Sequence, residues 1–309
     1  MRAGDSFTPA EINAIHTIEA EYFLEKSMLE KALSCYKNAS DYASMDAILH
    51  HQGMKLIEKN RTLTILSLLQ TIPQDVLLQY SWLTLYAGLL QVDFSPQTTL
   101  PFFDAARARF IADGEETGEI ITLSQTIYFH FVISGLYNLG SKVLPRTEEL
   151  FKKNAATLPV HVLIMAARNL ASGFCFFVSD MKKAKEYATL ANDLAIRHGM
   201  RNFIASTRFI LGYIELMSGN VTPFLREAEN CFSLINDPLV GMSNKLTLRV
   251  MHLCYLSMTG DVQNFINHQQ KMQESIDQKV ITQTVAAPYL YVWGCNRSEE
   301  HTSELQSQR

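Results

Sequence analysis

The chain has 309 residues, 47% hydrophobic and 19% charged, with a formal net charge of −4 and a pI of about 6.1. That balance is globular, falls below the usual quarter of charged residues, and lacks the basic footprint of a nucleic-acid-binding surface. The longest apolar stretch, Leu163 to Val178, is interrupted by Arg168 and Asn169, so no membrane span is expected.

The first helix is announced by Thr8-Pro9-Ala10-Glu11, a capping box with proline at the first helical position, after a short lead-in over residues 1–8. Ile12, Ile15, Ile18, Tyr22 and Phe23 supply its apolar stripe. A second helix opens at Met28 and continues through Tyr36 and Ala39. A third spans roughly Tyr42 to Glu58 and a fourth Thr62 to Gln70, stopped by Pro73. Helices follow over about Asp75 to Val92 and Pro96 to Ala112, the latter ended by Asp113-Gly114. The pattern then reads as pairs: Gly118 to Asn138 with Ser141 to Ala155, Pro159 to Val178 with Asp180 to His198, Asn202 to Ser218 with Val221 to Ile235, and Pro238 to Met258 with Asp261 to Ile276. A last helix begins near Val280. Tyr128 to Ile133 is rich in β-formers, but its place between helical neighbours assigns it to a helix.

Within this series one signature recurs about every forty residues. Leu139-Gly140-Ser141, Val178-Ser179-Asp180, Ser218-Gly219-Asn220 and Thr259-Gly260-Asp261 are polar turns between apolar, helix-period stretches. Asp180, Asn220 and Asp261 are 40 and 41 residues apart, and Ser141 lies 39 before Asp180. A fixed period in this range predicts stacked helix pairs, an all-α solenoid of about seven pairs over residues 9–296. Such a stack binds rather than transforms, and no reaction chemistry is visible. G-x-x-x-x-G-K-[ST] is absent, so no phosphate-cradling loop is expected.

Within each pair the pattern is similar to a tetratricopeptide repeat. Gly212 and Ser172 each sit eight residues before a polar turn, where a small side chain lets two helices approach. Ala184, Tyr187, Ala188 and Ala191 form the matching face of a second helix. From residue 28 to 155, Leu29 to Ala39, Leu68 to Pro73, Trp82 to Gly88, Phe94-Ser95-Pro96, Phe102 to Ala106 and Asp113 to Gly118 resemble the region after the ATPase module in MalT-type and AfsR-like regulators. These belong to the bacterial STAND class of transcription regulators. The resemblance implies a cytoplasmic, non-catalytic sensor segment without a cofactor, whose superhelical groove receives a protein or small-molecule effector. The alternative is a stand-alone tetratricopeptide scaffold for protein interaction. Neither implies direct contact of this segment with nucleic acid or membrane.

Candidate binding residues follow from the period. Arg168, Arg208 and Arg249 each lie 12 residues before the turn residues Asp180, Asn220 and Asp261. Equivalent positions in stacked repeats would form a ladder able to grip an anionic ligand or acidic peptide by bidentate bonds. The same arginines could instead lay their stems on the neighbouring repeat and pair locally. Tyr128 and Phe174, with Phe129, Phe131, Phe176 and Phe177, could line a groove or fill the core. His50-His51 are adjacent on a helix, about 100° apart, and do not chelate as an i, i+4 pair can. His130, His161, His252 and His268 have no partner at metal-ligand spacing. Lys182-Lys183-Lys185 reads as a solvated face. The five cysteines, at 35, 175, 231, 254 and 295, form no CxxC pair and read as buried, reduced thiols.

Residues 297–309 are polar and aperiodic. They resemble a translated sequencing adapter, so the natural chain is expected to continue beyond Asn296. The cut end should then expose a stacking face with Tyr289, Tyr291, Val292 and Trp293, prone to self-association.

Overall fold

A computed structural model describes residues 7–58, 62–92 and 95–277. Among these, every regular element is a helix. In chain order they are α1 (Pro9–Glu25), α2 (Leu29–Asn38), α3 (Tyr42–Glu58), α4 (Thr62–Leu69), α5 (Gln74–Leu77), α6 (Ser81–Gln91), α7 (Pro96–Asp113) and α8 (Glu116–Tyr128). A π-helical stretch (Phe129–Ser134) follows. Then come α9 (Tyr137–Asn154), α10 (Val160–Phe176), α11 (Met181–Arg197), α12 (Arg201–Met217), α13 (Val221–Ile235), α14 (Met242–Thr259) and α15 (Val262–Asp277). The residues expected at a cut end, with Cys295 and the helix near Val280, lie outside the described residues. Two compact units divide the chain, Met1–Thr122 and Leu123–Arg309. No described helix is long and apolar enough to cross a membrane.

In the first unit, α1 packs on α2, α2 on α3, and both α3 and α4 on α6, which pairs with α7. The capping box forms as expected: Thr8 Oγ1 accepts from the Glu11 N–H at 3.3 Å, and Glu11 Oε2 accepts from the Thr8 N–H at 2.7 Å. The start of α6 is capped from elsewhere in the chain. Asp46 on α3 accepts the Leu83 N–H at 2.8 Å, supplying an anion where a helix leaves N–H groups unpaired. Burial raises the Asp46 pKa, and the hydrogen bonds from Leu83 and Trp82 oppose that rise. The single helix expected over Asp75 to Val92 is instead two, α5 and α6. Thr84 explains the break, donating to the Leu77 carbonyl at 2.7 Å across the junction.

In the second unit each helix packs on the next from α9 to α15, and α10, α12 and α14 also pack on one another in sequence. The turns have one physical design. Ser179, Gly219 and Gly260 adopt left-handed backbone at φ 57°, 76° and 74°. The following residue returns an N–H to the last turn of the helix just ended: Asp180 to Phe174, Asn220 to Glu215, Asp261 to Leu256. Asp180 and Asp261 then accept N–H groups of the next helix, from Lys183 and Asn264. One polar residue thus closes one helix and opens another.

The expected turn at Leu139-Gly140-Ser141 is not a turn. The chain reverses at Gly135, φ 64°, and Gly140 lies inside α9. Gly140 is small for a different reason: a Cβ there would meet the Phe177 ring at 2.3 Å. The stretch weighed between strand and helix is helical, but wound as a π-helix after Tyr128. Its wider winding takes up residues before the reversal. Asp237-Pro238 likewise starts no helix. Asp237 accepts the Leu239 N–H at 2.9 Å in a local turn, and α14 begins at Met242.

Gly53 shows how tightly the first unit is packed, because a Cβ there would lie 2.3 Å from Cζ of the fully buried Tyr86. Gly53→Ala should therefore destabilise by roughly 1–3 kcal/mol in chemical denaturation despite alanine's better helix propensity. The Tyr86 hydroxyl is buried without a hydrogen-bond partner among the described residues. Tyr86→Phe should leave stability unchanged or raise it by up to about 1 kcal/mol; a large loss would mean that the hydroxyl has a partner.

Candidate functional site

The three arginines occupy equivalent places on α10, α12 and α14, all half-buried, and each has its own surroundings. Arg168 lies with its guanidinium 5.5 Å from the centre of the Tyr128 ring. It donates to Asn169 Oδ1 from Nε at 3.1 Å and from Nη2 at 2.8 Å. Asn169 is buried and passes the contact on, donating to the Ser124 carbonyl at 2.9 Å. Burial lowers the Arg168 pKa, opposed by the Tyr128 hydroxyl. Arg208 extends from α12 to the Asn230 carbonyl on α13 at 3.4 Å. Arg249 lines a cavity with side chains of α13 and α15. Arg168 and Tyr128 thus share one contact, while Arg208 and Arg249 face α13 and its surroundings.

Phe174 belongs to another cluster. It is buried, stacks on Tyr187 with centroids 5.7 Å apart and planes 4° from parallel, and carries Lys183 Nζ 4.7 Å above its ring. The hub of this cluster is Glu148 on α9, a residue not singled out by spacing. Its carboxylate accepts from Lys183 Nζ at 3.0 Å, from the Tyr187 hydroxyl at 3.1 Å, and pairs with Lys152 Nζ at 2.7 Å. Burial alone would raise its pKa; hydrogen bonds from Lys152, Lys183 and Tyr187 bring it below the ordinary value. Lys185 pairs with Glu215 on α12. Of the three lysines expected on a solvated face of α11, Lys182 and Lys185 are exposed, and Lys183 is half-buried against Phe174 and Glu148.

His50 and His51 stack face to face at 4.4 Å, and His50 also stacks on Trp82 at 4.4 Å. His50 thereby packs against α6, while His51 is exposed. No group of three or more His, Cys, Asp or Glu side chains among the described residues could hold a metal ion. Cys35, Cys175 and Cys231 are buried and Cys254 is half-buried, all as free thiols. Burial pushes Cys175 and Cys254 up to about 11 and Cys231 to about 12, far from a reactive thiolate.

The most chemically loaded space is the cavity at Arg249, about 330 Å³, lined by Phe232 and Ile235 of α13 and the following Asn236, Arg249 and His252 of α14, and His268 and Lys271 of α15. His252 and His268 meet edge to face at 4.8 Å. Burial, then His252, Arg249 and Lys271, push the His268 pKa down to about 4, while burial lowers that of His252 against the pull of Asp261. Taken singly, these histidines had no partner at ligand spacing. The signal lay in two i, i+3 pairs, Arg249 with His252 and His268 with Lys271, on successive helices of the forty-residue period.

Two outcomes follow. Glu148→Ala strips Lys183 and Tyr187 of a shared acceptor and should cost roughly 1–3 kcal/mol in denaturant unfolding, with Glu148→Gln intermediate. His268 binds its proton less well folded than unfolded, so stability is full above its ordinary 6.5 and is lost as pH falls toward about 4. The loss should be on the order of 2 kcal/mol, and His268→Gln should flatten it; an unchanged pH profile would place the imidazole in water. Compared with family models and with the curated proteins, the chain matches none.

Proposed function

We propose that the helices described between residues 9 and 277 form a tetratricopeptide-like repeat segment that binds a protein or small-molecule effector. We infer its setting to be the sensor region of a MalT-type STAND regulator. The observation that carries the repeat reading is the spacing of the long-range hydrogen bonds in the second unit. Asn169 to Ser124 spans 45 residues, Lys183 to Glu148 35, Tyr187 to Glu148 39, Arg201 to Asp237 36, Gly241 to Asn202 39, and Asn244 to Asn202 42. Five of these six bonds join helices of successive pairs about one period along the chain, as expected of a stacked repeated unit, and Arg201 to Asp237 ties together the two ends of the α12–α13 hairpin. The packing of α10, α12 and α14 on one another supports the same reading. By this account there are about seven pairs.

Function in such a segment comes from differential binding: an effector that prefers one state of the regulator shifts its equilibrium. The alternative is a stand-alone interaction scaffold built from the same repeats. Sequencing the genomic DNA on both sides of the reading frame separates the two. A frame encoding G-x-x-x-x-G-K-[ST] upstream and continuous with this segment is the expected result. A stop codon between them would sink the regulator reading and leave the scaffold.

A further inference from the structure

We propose that a groove of the first unit, walled by the end of α4, by α5 and by the start of α7, binds a small uncharged ligand that carries a carboxamide on an apolar body. This deepens the effector reading by naming a ligand class for one groove; failure at the groove would leave the repeat architecture and its setting untouched. The groove holds about 530 Å³, within the range of small-molecule sites. Leu69, Ile72, Leu77 and Phe102, all buried, form its floor. Gln70, Gln74, Gln97 and Thr98, all exposed, and the half-buried Gln91 form its rim. Among the described residues, no charged side chain lines it. An ion entering such a groove sheds water without gaining a counter-charge, whereas an apolar body gains by covering the floor.

The hydrogen-bonding capacity of the rim is largely unspent. The side-chain amides of Gln70, Gln74 and Gln97 make no hydrogen bond among the described residues. Gln91 Oε1 accepts from the Thr98 hydroxyl at 3.0 Å, which leaves the Gln91 NH₂ group to donate. Pro101 adds a backbone acceptor. It lies inside α7 and also lines the groove. Proline has no N–H, so the Gln97 carbonyl one turn earlier loses its helical donor. Free amides beside a free carbonyl call for a ligand group that donates more than once and also accepts. A carboxamide has two N–H donors and an acceptor oxygen in one plane, so it can pair with a glutamine and still donate to the carbonyl; a hydroxyl has a single hydrogen.

Hexanamide, hexanoate and hexylamine test this, because they share one apolar chain and at neutral pH are uncharged, anionic and cationic. Titrated into the full chain, hexanamide should bind saturably at about 1 mM. The two ions should bind about tenfold more weakly. The side-chain NH₂ resonances of Gln70, Gln74 and Gln91 should shift with hexanamide. Pro101 is exposed, and Pro101→Ala returns a helical N–H to the Gln97 carbonyl. That variant should unfold at a higher denaturant midpoint and yet bind hexanamide about fivefold more weakly. Absence of saturable binding, ions that bind as tightly as the amide, glutamine NH₂ resonances that do not move, or an affinity unchanged in Pro101→Ala would each overturn the proposal.

Discussion

The second unit is organised by helices buried on more than one side. α10 is the clearest case: from Val162 to Cys175 nearly every side chain is buried. It packs on α9, α11 and α12. A helix in that position leaves its buried polar side chains little access to water, and most of them find a partner on a neighbour or on their own helix. Asn169 donates to Ser124, Ser172 back to the Arg168 carbonyl, and Arg168 settles on Asn169 and Tyr128. The same rule governs α12, where Thr207 bonds the Phe203 carbonyl and the Asn192 side chain, and the buried Glu215 accepts from Asn220. The low share of charged residues follows from this constraint rather than from any ligand.

The sequence is most legible where local chemistry decides. The capping box at Thr8, the left-handed turn residues at Ser179, Gly219 and Gly260, and the helices they bound are set by backbone geometry within a few positions. It is misleading where a residue type serves two purposes. Glycine signals a turn when it supplies positive φ and signals close packing when it lacks a Cβ; Gly135 does the first and Gly140 the second. Asp-Pro marks a helix start or a local turn, and at Asp237 the Leu239 N–H decided for the turn.

Side-chain partnerships were less visible because they depend on which faces meet. The period placed Arg168, Arg208 and Arg249 at equivalent positions. What each touches was set by its neighbours: an aromatic ring for the first, a backbone carbonyl for the second, a basic cavity for the third. Glu148 escaped notice because its lysine and tyrosine partners lie 35 and 39 residues away. The trace it leaves in the sequence is a pair of opposite charges, Glu148 and Lys183, nearly one period apart.

The bonds of the second unit that span 35 to 45 residues also bear on how it folds. The entropic cost of closing a loop grows only with the logarithm of its length, by about 0.6 kcal/mol per doubling. Loops of 35 and 45 residues are therefore almost equally easy to close. Chain length then gives no pair a kinetic advantage over another. The order of assembly passes to local stability, and the well-buried α10 with α11 is the natural place for it to begin.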